Sequence, residues 1–285
     1  MRVGFTLVDV FTDVPFAGNQ LCVVPEPPED LDGETMQVLA REIGFSETTY
    51  VTAVRERGYD VRIFTPVSEL RFAGHPTLGT AFTLARLGVV PSSVVQTSAA
   101  GDIPVEVELE VGAATMRQLP PKFGEAFDDR DAIASAAGLE PSDLGAGPIV
   151  PVSTGISHLM VPVAGEDALR RASRHDRACA DVCERAGVES LYLFVIRGRG
   201  EVIARMFDRS AEIGEDPATG SAAGPLGAYL SEHHGAGMPG NMTIAQGEMV
   251  GRPSFIDVDV TSDDTGWVTF VGGGVRIVGG GWFGR

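Results

Sequence analysis

Lysine is almost absent from this chain: Lys122 stands alone beside 21 arginines. Against 39 acidic residues the formal net charge is −17, which excludes nucleic acid and an anionic membrane surface as expected partners. The imbalance is that of a protein from a high-salt cytoplasm, or of an ordinary acidic surface encoded by a GC-rich genome. Cysteine is scarce too. Cys22, Cys179 and Cys183 cannot make a complete disulfide framework, and the setting they imply is cytoplasmic. Cys179 and Cys183 fall four residues apart on a predicted helix, where buried thiols are a better reading than a metal pair. Long apolar runs are missing as well. The longest stretch free of Asp, Glu, Lys and Arg, 144–165, holds Pro148, Pro151, Pro162 and four glycines, so it predicts no transmembrane helix. Asp9 and Asp13 interrupt the N-terminal apolar run, which argues against a signal peptide.

What is present is organised around Phe72-Ala73-Gly74-His75-Pro76-Thr77-Leu78-Gly79-Thr80-Ala81-Phe82. Proline suits the first turn of a helix, and no residue from Pro76 to Ala85 is charged, which predicts a helix buried on every side. Its N-terminus would present backbone N–H groups and a partial positive charge beside a histidine, a candidate anion site. The stretch also occurs twice. Asp216-Pro217-Ala218-Thr219-Gly220-Ser221-Ala222 repeats His75-Pro76-Thr77-Leu78-Gly79-Thr80-Ala81, and 217–230 is again uncharged. Arg62-Ile63-Phe64 and Glu69 have echoes in Arg205-Met206-Phe207 and Glu212. Gly44 and Gly187 each close a predicted amphipathic helix, and Gly18-Asn19-Gln20-Leu21-Cys22 has a fainter echo in Gly155-Ile156-Ser157-His158-Leu159. The chain therefore reads as two copies of one unit.

Each copy runs in the same order: two strands, an amphipathic helix, a hairpin, the uncharged helix and closing strands. Pro120-Pro121-Lys122 is the candidate linker. The economical packing is an α+β fold in which each half wraps a curved, mostly antiparallel sheet into a barrel around its uncharged helix. Pro225 should bend the second of these helices or make it restart.

Four motifs in order, Ser46-Glu47-Thr48, Arg62-Ile63-Phe64-Thr65-Pro66-x-x-Glu69, Ala73-Gly74-His75-Pro76-Thr77 and Gly214–Ala222, resemble the phenazine-biosynthesis PhzF-like family, within the diaminopimelate-epimerase fold. The resemblance implies two pseudo-symmetric β-barrels with an active site between them, and usually a homodimer. It implies a first barrel over about 1–118, joined by C-terminal strands from about 268–285, and a second over about 119–267. It makes the residue aligned with Glu47 the acid/base, and places those aligned with His75, Asp216 and Ser221 around the substrate. Asn19 is a candidate substrate contact, and the backbone near Gly74, Gly220, Ser221 and Ala222 a candidate carboxylate cradle.

One asymmetry supports this reading independently. The repeat mate of Glu47 is Ser190, so the carboxylate is not demanded by the fold. In the epimerase relatives the places of His75 and Asp216 hold paired cysteines; neither is cysteine here, which disfavours a two-thiol racemase. His75 and Asp216 lack a clustered third ligand, so no metal is expected, and the His233-His234 pair reads as a solvated helix end. The expectation is a cofactor-independent isomerase that moves a proton within a small carboxylate, of the trans-2,3-dihydro-3-hydroxyanthranilate type. Alternatives are an amino-acid epimerase or racemase, and a non-enzymatic binding protein with a vestigial cleft.

Overall fold

The computed structural model describes residues 2–234 and 240–284, which divide into two compact units, Met1–Arg117 with Gly272–Arg285 and Gln118–Val271. In the first, β1 (Arg2–Val10) and β2 (Asn19–Val24) precede α1 (Gly33–Ile43). They are followed by β3 (Glu47–Arg55), β4 (Gly58–Phe64), β5 (Glu69–Leu70), α2 (Gly74–Arg86), β6 (Ser93–Ser98), β7 (Gly101–Glu108) and β8 (Ala113–Arg117). β1 lies antiparallel between β2 and the last strand of the chain, Gly266–Gly284. β2–β3 and β4–β6 pair parallel; β3–β4, β6–β7 and β7–β8 pair antiparallel. β8 pairs with the last strand and closes an eight-stranded barrel.

Inside it runs α2, buried at every position from Gly74 to Ala85. Burying Leu78, Phe82 and Leu84 stabilises the unit by about 1.5–3 kcal/mol each. The helix's threonines are satisfied without water. Thr77 and Thr83 donate back to the carbonyls of Ala73 and Gly79 at 2.8 and 2.7 Å, and Thr80 shares a 2.8 Å hydrogen bond with Thr49. Outside the barrel, α1 packs Met36 and Ala40 against Val3, Val24, Tyr50 and Phe64. Its first turn is capped by Asp32, which accepts from the Thr35 N–H at 2.8 Å, and Gly44 ends it at φ 68°. A left-handed residue there is tolerated best by glycine.

The second unit contains β9 (Lys122–Phe123), α3 (Arg130–Ala136), β10 (Val150–Ser153), β11 (Ser157–Pro162), α4 (Glu166–Arg171) and α5 (Asp176–Ala186). β12 (Ser190–Gly198), β13 (Glu201–Asp208), β14 (Glu215–Asp216), α6 (Gly220–His234), β15 (Asn241–Gln246), β16 (Ser254–Asp263) and the start of β17 (Gly266–Gly284) complete it. Its pairings repeat the first unit's: β10–β11 antiparallel, β11–β12 parallel, β12–β13 antiparallel, β13–β15 parallel, β15–β16 antiparallel. Even the register repeats, since Thr48 pairs with Phe64 and Leu191 with Phe207. The fold is thus α+β, two mostly antiparallel barrel units each with a buried central helix. α3, α4 and α5 add an outer apolar layer that includes Cys179 and Cys183.

Three expectations are corrected. Glu69 forks onto Arg62 at 2.7 and 2.7 Å, and the residue that does the same for Arg205, at 2.9 and 2.6 Å, is Glu215 rather than Glu212. The loop between β13 and β14 is longer than its counterpart, so the partner moved along the sequence while its place opposite Phe207 was kept. The proline motifs also differ. α2 starts at Gly74, with Pro76 in its first turn, whereas α6 starts at Gly220 and Pro217 lies in the turn before it. There Asp216 is still part of a strand, opposite Met206. Finally, α6 does not restart: Pro225 lies inside one continuous helix. Near its start the Gly220 carbonyl accepts from the Gln118 side chain at 2.8 Å, and Gly224 leaves the room that this amide needs. At the far end of α6 His233 is exposed.

Candidate active site

In the first unit Asn19, Glu47, Gly74 and His75 gather around one backbone carbonyl, that of Gln20. The parallel pairing of β2 and β3 sets Glu47 beside Leu21, and the N-terminal turn of α2 brings His75 underneath. The His75 Nε2 lies 3.2 Å from the Gln20 oxygen and 3.1 Å from Glu47 Oε2. A carbonyl only accepts, so Nε2 carries the ring proton and donates it to the Gln20 carbonyl, with Glu47 Oε2 close by on the same side. Burial holds the imidazole neutral, pushing it down to about 3 against the opposing pull of the Gln20 hydrogen bond. The same carbonyl accepts from the Ser46 hydroxyl at 3.3 Å, which also donates to Asn19 Oδ1 at 2.7 Å. Glu47 keeps 15% of its side chain exposed while His75 keeps 5%, so the carboxylate is the member of the pair that a ligand can reach. Ala73, the N-cap of α2, makes no side-chain cap, leaving the backbone of Gly74 and His75 uncapped by any side chain.

In the second unit Asp216, Gly220, Ser221 and Ala222 lie at the start of α6, held by residues that the motifs did not single out. Gln246 on β15 donates to the Asp216 carbonyl at 2.8 Å and to Thr219 Oγ1 at 3.0 Å. The Thr219 hydroxyl must then give its own proton to Asp216 Oδ2, 2.5 Å away. Tyr192 donates to Gln246 Oε1 at 3.0 Å and orients the amide. Thr219 precedes the helix, and its carbonyl accepts from Ala222 and Ala223. Ser221 meets His158 Nε2 at 3.1 Å, and His158 Nδ1 meets Ser190 Oγ at 2.7 Å. The sequence held one hint of His158: the repeat sets a polar ring where the first copy has the apolar Leu21.

Among the described residues no cluster of three His, Cys, Asp or Glu side chains occurs that could hold a metal ion. Among them no helix is long and apolar enough to cross a membrane. A cavity of about 210 Å³ in the second unit lies behind Gln246, but its arginines are ion-paired: Arg170 with Glu248, Arg197 with Glu166, Arg205 with Glu215. It offers an anion no uncommitted cation, and the helix termini remain the candidate site.

The model of the phenazine biosynthesis-like proteins, PhzC-PhzF, matches residues 8–280. The chain belongs to that family. It is 35% identical over 272 residues to the protein named uncharacterized isomerase YddE of Escherichia coli, covering 90% of each chain. It is 35% identical over 254 residues to trans-2,3-dihydro-3-hydroxyanthranilate isomerase of Pseudomonas aeruginosa, covering 88% of this chain and 87% of that one. The solved PhzF-family phenazine biosynthesis protein of Bacillus anthracis superposes over the whole of both chains with a TM-score of 0.89 at 26% identity. These relatives agree on class, and the chain is an isomerase.

Proposed function

We propose that this isomerase moves a proton within a small carboxylate, with Glu47 as the single acid/base and a substrate like trans-2,3-dihydro-3-hydroxyanthranilate. The observation that carries the reading is the Glu47–His75 pair: a partly exposed carboxylate side chain whose Oε2 lies 3.1 Å from the Nε2 of a buried imidazole. The second copy has Ser190 in the place of Glu47, so the carboxylate is a specialisation of one copy and not a requirement of the barrel. In the proposed step Glu47 takes a proton from a carbon activated by the neighbouring unsaturation. The C–H bond breaks, its electron pair shifts the double bond, and an O–H bond forms on Glu47. The proton then returns from Glu47 to another carbon of the same molecule. Nothing is oxidised or reduced. His75 stays neutral throughout, tied to the Gln20 carbonyl beside the carboxylate and adding no competing cation. Asn19, Gly74, Asp216, Gly220, Ser221 and Ala222 bind and orient the substrate, and no cofactor enters the scheme.

An epimerase that works through two thiols is the weaker reading. Cys22, Cys179 and Cys183 are all buried, and none occupies the place of His75 or Asp216. The test is Glu47→Gln, which keeps the shape and removes the basic oxygen. Incubation with trans-2,3-dihydro-3-hydroxyanthranilate in deuterium oxide, followed by NMR of the carbon-bound hydrogens, should show turnover and exchange with wild type. Glu47→Gln should lower kcat at least a hundredfold, the low end of what general acid–base catalysis supplies, and leave KM within about threefold. Exchange by Glu47→Gln at the wild-type rate would remove Glu47 from the role.

A further inference from the structure

His158, Ser190 and Ser221 form a buried chain of three side chains in the second unit, none of them used by the proton transfer just described. His158 is 1% exposed, Ser190 fully buried and Ser221 6% exposed. The proton positions along the chain follow from its geometry. Ser190 Oγ carries one proton, and among the described residues its side chain has one hydrogen-bond partner, His158 Nδ1 at 2.7 Å. A buried hydroxyl that leaves its proton without an acceptor costs about 1–3 kcal/mol, so Ser190 donates and Nδ1 accepts. The ring is neutral, because burial pushes it down to about 3, and a neutral imidazole has one N–H. That N–H is therefore on Nε2, and it donates to Ser221 Oγ at 3.1 Å. With a lone pair of Ser221 occupied by His158, the Ser221 hydroxyl proton has to point elsewhere.

We propose that His158 is a positioning residue: held as the Nε2–H tautomer by Ser190, it occupies one lone pair of Ser221 and leaves the hydroxyl proton to be given to an acceptor on the substrate, a carboxylate oxygen. The proposal rests on the reading that Ser221 touches the substrate, and deepens it by fixing which kind of group Ser221 can meet. An ammonium or amide N–H placed there could use only the remaining lone pair and would leave the hydroxyl proton without an acceptor. A carboxylate oxygen would receive that proton, beside the backbone N–H groups of the first turn of α6. The other copy shows that the trio is not needed for folding. Leu21 and Glu47 stand at the corresponding strand places, and the second residue of α2 is His75 where α6 has Ser221.

The leucine of the first copy also supplies the test, since His158→Leu places in the second barrel the side chain that the first already accommodates. Long-range proton–nitrogen NMR on the protein labelled with 15N-histidine, with His158 assigned by its disappearance in His158→Leu, reads the tautomer without any ligand. A protonated Nε2 with a bare Nδ1 at pH 7 is expected. A protonated Nδ1, or an imidazolium, would overturn the proposal. Binding is then measured with 3-hydroxyanthranilate as the probe. His158→Leu and Ser221→Ala should each weaken it about tenfold, the scale of one hydrogen bond to a charged group. The double variant should be no weaker than Ser221→Ala, because both changes remove one interaction. His158→Gln, whose amide can place an N–H near Nε2, should stay within about threefold of wild type. Additive losses, or His158→Gln as weak as His158→Leu, would reduce His158 to packing and overturn the proposal. Failure of wild type itself to bind the probe would count against the substrate reading, and the ring signal would still decide the tautomer.

Discussion

Leu21 and His158 occupy the same place in the two copies. Each is the strand residue set in parallel register beside the first residue of the next strand, Leu21 beside Glu47 and His158 beside Ser190. In the first copy the apolar member packs over α2 and the acidic one faces His75. In the second the polar ring spans two serines. One scaffold therefore holds two chemistries: a carboxylate that can take a proton, and a hydroxyl that can give a hydrogen bond. The division of labour lies in two side chains on neighbouring strands, while the barrel beneath them is unchanged.

The thiols should be dispensable. Cys22 lies buried in β2, where burial raises its thiol to about 12 against a weaker opposing hydrogen bond from Thr48, and Cys179 and Cys183 are buried in α5. A thiolate is the reactive form, so N-ethylmaleimide on the folded protein should leave proton exchange in deuterium oxide within about twofold of the untreated rate. Abolished exchange would bring a thiol mechanism back.

Stability should fall on acidification. His75 and His158 are held near 3 when folded, while an unfolded histidine titrates at about 6.5. Their neutral forms therefore contribute stability that is fully present above about 6.5 and is lost as pH falls, because the unfolded chain then binds more protons. By pH 5 each should cost about 2 kcal/mol relative to pH 7.5. Asp208, raised to about 6 by burial, works the other way and returns part of this. Urea midpoints at the two pH values should differ accordingly, and the difference should shrink in His158→Leu. An unchanged midpoint would mean that these rings take up protons in the folded state.

Gly79→Ala should destabilise the first unit by about 1–3 kcal/mol, the usual cost of overpacking. A Cβ there would sit 2.6 Å from Leu21 Cδ2 and 3.0 Å from Val10 Cγ2, both in the packed interior. Chemical denaturation of the variant measures the loss. A neutral result would show that β1 and β2 can move away from α2.

Salt should raise the melting temperature. With 39 acids against 22 fixed cations, self-repulsion is screened only weakly at low ionic strength. Thermal melts from low to molar potassium chloride should climb by more than those of a near-neutral family member. A flat response would leave the acidity as a matter of genome composition.

The sequence by itself determined the duplication, the buried helices and the family, because those depend on signals local in the chain. Uncharged helical stretches, helix-ending glycines and strand alternation are set by backbone propensity and by which residues water will solvate. Hence the glycines that end α1 and α5, Gly44 and Gly187, were legible to the residue. Glu47 was singled out by the family resemblance, with the serine at its repeat mate as support. What only the tertiary structure decided were pairings between residues far apart in sequence. Glu215 rather than Glu212 meets Arg205, since loop length hides the partner while sheet register preserves it. Gln246 and Gln118 hold the start of α6 from 26 and 102 residues away in the chain. His158 reads as one polar residue in an apolar strand until the sheet sets it beside Ser190 and the helix brings Ser221 to its other nitrogen. A hydrogen bond needs two groups within about 3 Å, and nothing in the linear spacing of residues 158, 190 and 221 reports that distance.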